Sequence, residues 1–429
     1  MMHKFTTFLK KVYFGYKQAI VLRAYTLGII MACIIPCSAQ KTRSSDAMIH
    51  TPQIKILGSW NTLPILTLNG EQHLEFSFDD LSEDPQRYFY RIEHCDEHFR
   101  PTENLFESAY LQATDNSQLI EDYEPSRNTT VNYYHYKFCI PNANMKMLIS
   151  GNYRLTIERD DEERTPVIES YFMILDQKTL VKASITTNTD IDFNQHHQQL
   201  SIEVEHAKLH LHNPQQQIKC VVIKNRDWNN AIWLSPATYS TGNSLKWMHS
   251  KELIFKAGNE WRKFENLSTS ETSLHTDYII WNPETNHYDV QLYVDEPRKN
   301  YLFDKEHNGA FYIRNIDGYD NETESDYINI RFTLDMPQLI GGDVYIDGAW
   351  ATNTNRNTYR MAYNEEKQAY EGNILLKQGY YNYYYRSEGN NIEGDFYETE
   401  NEYTILVYVN QPDKRYTQLV GLGRVHSGK

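Results

Sequence analysis

The sequence is poor in cysteine, with 5 in 429 residues, and short of positive charge, with 42 Lys plus Arg against 57 Asp plus Glu. A formal charge of −15 repels phosphate backbones, which removes nucleic-acid binding as a leading role. Apolar runs are brief, and beyond residue 40 none approaches the roughly 20 residues of a membrane-spanning helix. Amphipathic helical patterns of a dozen residues are missing as well, so an all-helical fold is set aside. The motifs of common chemistries are also absent: no Gly-x-Ser-x-Gly elbow, no phosphate loop, no His-Glu-x-x-His helix, and neither CxxC nor a Cys/His ligand spacing. Gly341-Gly342 has no helix start behind it to make an anion cradle. The expectation is a protein without catalysis and without a cofactor.

What is present is tyrosine, 33 residues against 17 phenylalanines, a bias that suits half-buried strands. Period-two alternation runs through the chain: Leu74, Phe76 and Phe78; Tyr153, Leu155 and Ile157; Ile202 and Val204; Tyr288, Val290, Leu292 and Val294; Ile328, Ile330, Phe332 and Leu334; Tyr403, Ile405, Val407 and Val409. Turn signals separate these runs, among them Asn69-Gly70, Asn308-Gly309 and Gly341-Gly342-Asp343. Short strands at regular spacing predict an all-β chain of three consecutive β-sandwiches of Ig-like or early-set-like size, over 47–176, 177–306 and 307–429. No internal repeat makes the blocks copies of one another.

The first 39 residues read as a secretory signal. Lys4, Lys10, Lys11, Lys17 and Arg23 precede an apolar stretch from Ala24 to Ile35, and cleavage is expected after Ala39. An apolar core of about a dozen residues is too short to span a bilayer. Ile30-Met31-Ala32-Cys33 is a loose lipoprotein box, but cleavage there would cut the apolar core short, so a lipid anchor is the lesser alternative. Removing five basic and no acidic residues leaves 37 against 57, a charge of −20 on the exported chain. Cys95, Cys139 and Cys220 remain; Cys95 with Cys139 is the one bridge weighed, and free buried thiols are the expectation.

Two segments are candidates for recognition. His210 and His212 flank Leu211 and would share a strand face where two imidazoles chelate one metal, but no third ligand is visible. Residues 379–385 (GYYNYYY) place Tyr381, Tyr383 and Tyr385 on one strand face and Tyr380 and Tyr384 on the other. One face belongs to a core, and the other offers tyrosine rings to sugars or to a partner.

Residues 88–96 (YFYRIEHCD), 122–129 (DYEPSRNT), 134–136 (YHY) and 150–153 (SGNY) resemble the signatures of the type IX secretion system plug protein family of Bacteroidetes. The resemblance continues in order through 255–264 (FKAGNEWRKF), Arg298, 308–311 (NGAF), 376–383 (LKQGYYNY) and 400–403 (ENEY), and so covers nearly all of the exported chain. Phe99, Thr102 and His307 depart from it, standing where Trp, Ser and Asp are usual. The resemblance implies a periplasmic protein at the inner face of the outer membrane. Its partner would be the giant translocon barrel, whose periplasmic mouth it occludes when no substrate is exported. No catalytic residue, cofactor or metal comes with it. The candidate partner or ligand surface is Tyr381, Tyr383, Tyr385, Trp261 and Arg262. Residues 344–350 (VYIDGAW) with 361–364 (MAYN) are similar to early-set modules of the glycogen-binding kind, a likeness of fold that licenses no carbohydrate function.

Overall fold

The computed structural model describes residues 41–410 and 414–428. Residues 1–39, where a signal segment and its cleavage are expected, lie outside the described residues together with Cys33. The described residues belong to one compact unit, and its regular structure is nearly all strand, with only short helical turns.

The alternation of the sequence becomes pairs of sheets with apolar side chains between them. In the N-terminal segment, Ile49–Ile56, Leu74–Asp80, Tyr134–Ile140 and Tyr123–Pro125 form one sheet. Pro166–Leu175, Gly151–Arg159 and Tyr88–Cys95 form the centre of the facing one. Phe76, Phe78 and Tyr136 from the first meet Tyr88, Tyr153 and Phe172 from the second in a single core. Phe78 stacks on Tyr136 with centroids 5.0 Å apart, and Tyr153 stacks on Phe172 at 5.2 Å. Leu74, Phe76 and Phe78 are buried as the period predicts, but so are Ser77, Asp79 and Asp80, which alternation assigns in part to solvent. The reason is a second contact: the outer face of this sheet rests on the C-terminal segment, where Asp79 meets Lys377 and Tyr327.

Beyond residue 176 the chain is interleaved, which differs from consecutive blocks at 177–306 and 307–429. Leu180–Thr186, His197–Glu205 and Ser244–Trp247 share one sheet, and the sheet opposite joins Ile218–Lys224 to the final hairpin, Glu402–Asn410 with Thr417–His426. Leu200, Val204, Val222, Ile405 and Val407 fill the core between them. Residues between these two contributions build a further pair of sheets. One is centred on Gly379–Arg386, flanked by Arg262–Asn266 and Phe311–Ile313; the other contains Thr276–Asn282, His287–Leu292, Tyr327–Asp335 and Ala369–Lys377. Their core holds Phe264, Val290, Ile330, Phe332, Tyr381 and Tyr383. Leu406 and Tyr408 point away from the middle core and pack with Met173, Leu175, Val221 and Ile223, which ties the N-terminal segment to the middle one. That second burial explains why both faces of Glu402–Asn410 are apolar.

Cys95 and Cys220 are buried free thiols, and Cys139 is free and half-buried. His210 and His212 lie in an exposed loop and not on a strand, so they share no face. Among the described residues no three His, Cys, Asp or Glu are grouped to hold a metal.

Candidate functional site

The tyrosine run forms the strand Gly379–Arg386, whose register opposite Arg262–Asn266 sets Tyr383 against Arg262 and Tyr381 against Phe264. Tyr381, Tyr383 and Tyr385 are 1%, 0% and 2% exposed, so the partner surface expected of them does not exist. They are core because their face is turned toward the facing sheet: Tyr381 stacks on Phe264 and Phe311, with interplanar angles of 10° and 11°. Buried phenols need partners. Tyr383 and Tyr385 each donate to Asp295 Oδ2 at 2.7 Å, and Tyr381 donates to the carbonyl of Lys377.

Arg262 is interior as well, which removes it from any contact surface. Its Nη1 donates to Asp295 at 2.6 Å and its Nε is shared between both oxygens of Glu393 at 3.1 Å. Burial alone would raise the Asp295 carboxyl; His275, whose Nε2 lies 3.6 Å away, the Arg262 charge and the two phenols outweigh it and hold the group at about 2. Burial would lower Arg262 too, and Glu393 and Asp295 reverse that sign. This is a structural ion cluster that satisfies a charged residue inside a sandwich.

Of the five predicted residues only Trp261 faces open space. It lines a cleft of about 230 Å³ between the N-terminal, middle and C-terminal segments, with Trp60, Trp228, Phe99, Arg226 and Asn308 among its walls. Gly309 makes room for the Trp261 ring: a Cβ there would stand 2.7 Å from Trp261 Cη2, and the glycine holds φ +82°. Trp261 meets Tyr384 edge-on at 4.4 Å, while Phe99 packs edge-on against both Trp228, at 5.2 Å, and Tyr171, at 5.4 Å. Several of these side chains sit on left-handed backbone. Phe99, Asn225, Arg226 and Asn308 have φ of 60°, 49°, 60° and 52°, a conformation that costs non-glycine residues about 1 kcal/mol or more. Arg226 donates to Asn61 Oδ1 and to the carbonyl of His307, yet its Nε makes no hydrogen bond, the nearest carboxylate being Glu402 at 3.9 Å. Asn308 Oδ1 is buried without a partner. Asp227 and Asp347, the acids of the cleft, are taken by Arg386 and Lys41.

A second, polar cleft of about 540 Å³ opens on the other side of Trp60, lined by Thr51, Asp79, His135, Glu322 and Lys377. His135 Nδ1 lies 2.6 Å from Asp79, and its buried Nε2 makes no hydrogen bond, with Glu322 at 3.7 Å.

Sequence reasoning missed the first cleft because its walls come from residues 60, 99, 226, 261 and 308, which no local pattern connects. One signal was available: Asn225-Arg226 stands where a tight turn favours Asn-Gly.

The family model for the type 9 secretion system plug protein 1st domain matches residues 49–176. A crystal structure of a hypothetical protein from Parabacteroides merdae is 32% identical; the match covers 91% of this chain and 100% of that one, with a TM-score of 0.86. The DNA glycosylase AlkC of Pseudomonas fluorescens, bound to DNA containing an abasic site analog, is 9% identical over 32% of this chain and 30% of its own. Its TM-score of 0.15 carries no argument. No curated protein matches the chain. A full-length relative of the same fold, joined to the match over the N-terminal segment, settles the assignment: the chain belongs to the type IX secretion system plug protein family.

Proposed function

We propose that the protein is exported to the periplasm, where it occludes the inner mouth of the type IX outer-membrane barrel while no cargo passes. The observation that carries this reading is the family match over residues 49–176, with a relative aligned along 91% of the chain. Physical features support it. Stacked sandwiches give bulk, and the charged groups of the C-terminal core are spent on one another around Asp295 rather than aimed at a substrate. No described helix is long and apolar enough to cross a membrane, and the described body contributes no helical span of its own. A stopper of this kind acts by surface complementarity, and a strongly acidic one is drawn to a basic rim with an on-rate that falls as salt rises.

Deleting the gene while the barrel stays assembled tests the reading. The expected result is entry of a bulky hydrophilic antibiotic that the parent strain excludes, with secretion partly retained. A deletion strain that excludes the antibiotic as well as its parent, with the barrel present and not blocked by another partner, refutes it.

A further inference from the structure

The sheet that contains Tyr327–Asp335 ends on an open edge. Its outermost strand, Thr276–Asn282, pairs with His287–Leu292 on one side, and among the described residues its other side pairs with nothing. A bulge at Asp277 interrupts the register, and residues 278–282 then run regularly, which leaves roughly 17 Å of edge with unpaired N–H and C=O groups. Those residues include no Pro and no charged side chain of the kind that blunts such an edge. Other edges of the molecule are protected. The opposite edge of this sheet, Ala362–Asn364, is 3 residues long and runs into Glu365 and Glu366, and the edge strand Leu180–Thr186 carries Lys182. Here the side chains are apolar and open: Tyr278, Ile280 and Trp281 are 46%, 52% and 39% exposed. Ile279 packs inward on the core, and Trp281 meets Tyr288 of the neighbouring strand edge-on at 5.0 Å, which holds the edge in place. Charge of one sign frames it. Residues 264–297 hold seven Asp or Glu and no Lys or Arg, and Asp277 and Glu284 are exposed at the two ends of the strand.

We propose that this edge takes a strand of a partner polypeptide, an extended segment of alternating apolar residues flanked by Lys or Arg. Main-chain bonds to residues 278–282 hold the segment, and its side chains lie against Tyr278 and Ile280 on one face and Ile279 and Trp281 on the other. Its basic flanks answer Asp277 and Glu284, for which the hairpin itself supplies no Lys or Arg. A second copy of the chain fits less well. Antiparallel pairing of two such edges sets the acids of one copy close to those of the other, and each chain already carries a charge of −15. Left bare, an apolar edge of this length is a template for aggregation, so a regular occupant accounts for its lack of protection. The edge suits a partner of this chemistry whether or not the protein closes a pore.

The chain from residue 40 onward is added at low salt to a fluorescein-labelled, capped peptide Lys-Val-Thr-Val-Thr-Val-Lys, and binding is read by anisotropy. A second peptide carries Glu for both Lys, and a third carries Pro for both Thr, which keeps the charge but cannot form a ladder. The Lys peptide should bind about tenfold tighter than the Glu peptide, the gap should narrow as salt rises, and the Pro peptide should not bind. Amide hydrogen exchange should slow at residues 278–282 when the Lys peptide is bound. Ile280→Lys changes an exposed side chain, so the fold should hold while binding falls about tenfold or more. If that variant does not fold, Tyr278→Lys replaces it, and the three peptides with the exchange map decide in the parent. No binding of the Lys peptide, equal binding of the Glu or Pro peptide, or unchanged exchange at residues 278–282 overturns the proposal. So does a concentration-dependent dimer that Ile280→Lys dissolves, which would make a second copy the occupant.

Discussion

The buried pair Asp79–Lys377 is the sharpest test of how the N-terminal and C-terminal segments are held together. Lys377 Nζ lies 2.7 Å from Asp79 Oδ2, and each side chain is 1% exposed. The same carboxylate takes the Tyr327 hydroxyl at 2.6 Å and faces His135 Nδ1 at 2.6 Å, while the ammonium lies 4.1 Å from the centre of the Tyr133 ring. Burial raises Asp79, but Lys377 and His135 outweigh it and keep the carboxylate ionised. Lys377→Met removes the charge and leaves an uncompensated buried anion, which should cost about 3–5 kcal/mol. That is a large part of the roughly 5–15 kcal/mol total of an ordinary domain. Asp79→Asn with Lys377→Met leaves no orphaned charge and should recover most of the loss, because a neutral buried pair is often as stable as the ionic one. Urea unfolding of the four proteins of the cycle measures both numbers. Hydrogen exchange should locate the damage at the amides of Thr130 and Val131, which donate to Asp326 across the same junction. A loss under about 1 kcal/mol for Lys377→Met, or no recovery in the double variant, refutes the reasoning.

Three other outcomes follow from the same geometry. A carboxyl held at about 2 instead of near 4 contributes roughly 2 kcal/mol. For Asp295 that stabilisation is full above about pH 4 and lost as pH falls through about 2; Tyr383→Phe, read by acid unfolding, should shrink it. Glu306, pushed up to about 8 by burial, has the opposite sign: the folded protein keeps a proton that the unfolded chain releases near 4.5, so stability falls as pH rises from about 4.5 to about 8 and is level above that. Glu306→Gln should therefore match the parent in urea at pH 5 and exceed it at pH 9. Gly309→Ala combines φ +82° with a 2.7 Å contact on Trp261 and should lose more than about 2 kcal/mol by thermal unfolding, with displacement of the Trp261 ring visible in its fluorescence.

Much of the strand content was legible because a half-buried strand writes its period into the sequence. Ile328, Ile330, Phe332 and Leu334 are all 1% exposed or less, as alternation requires. Val294 is not: it lies past the end of His287–Leu292 and is 59% exposed. Alternation also cannot show a second burial. Asp79 reads as an outward residue of Leu74–Asp80 and becomes interior only because another segment covers that face. The same blindness misplaced the tyrosines. The period separates Tyr381, Tyr383 and Tyr385 from Tyr380 and Tyr384 but does not say which set is inside. Arg262 reads as a surface charge, and its partners Asp295 and Glu393 lie 33 and 131 residues away. Interleaving was hidden for a related reason. Consecutive strands are usually neighbours, so a reading in chain order gives Glu402–Asn410 to the last block, whereas its hydrogen bonds go to Ile218–Lys224.

That interleaving bears on what the protein can do mechanically. A segment joined to the rest by one linker swings as a hinge, because a few loop residues can absorb the rotation. Here the sheets built from residues 262–386 are joined at two places, since the chain leaves the middle segment near residue 257 and returns near residue 399. The two crossings are bonded to each other: Phe396 N donates to the carbonyl of Gly258, Thr399 Oγ1 donates to the same carbonyl, and Asn401 Nδ2 bridges the carbonyl of Ala257 and Gln198 Oε1. Asn401 is 2% exposed and Gln198 is 0% exposed, so water does not compete for these bonds. Bending at this junction would have to break several buried hydrogen bonds in two strands of chain at once, each costly to leave unmade. A body joined in this way keeps its shape under load, which is the property that the proposed closing of a pore by fit would require.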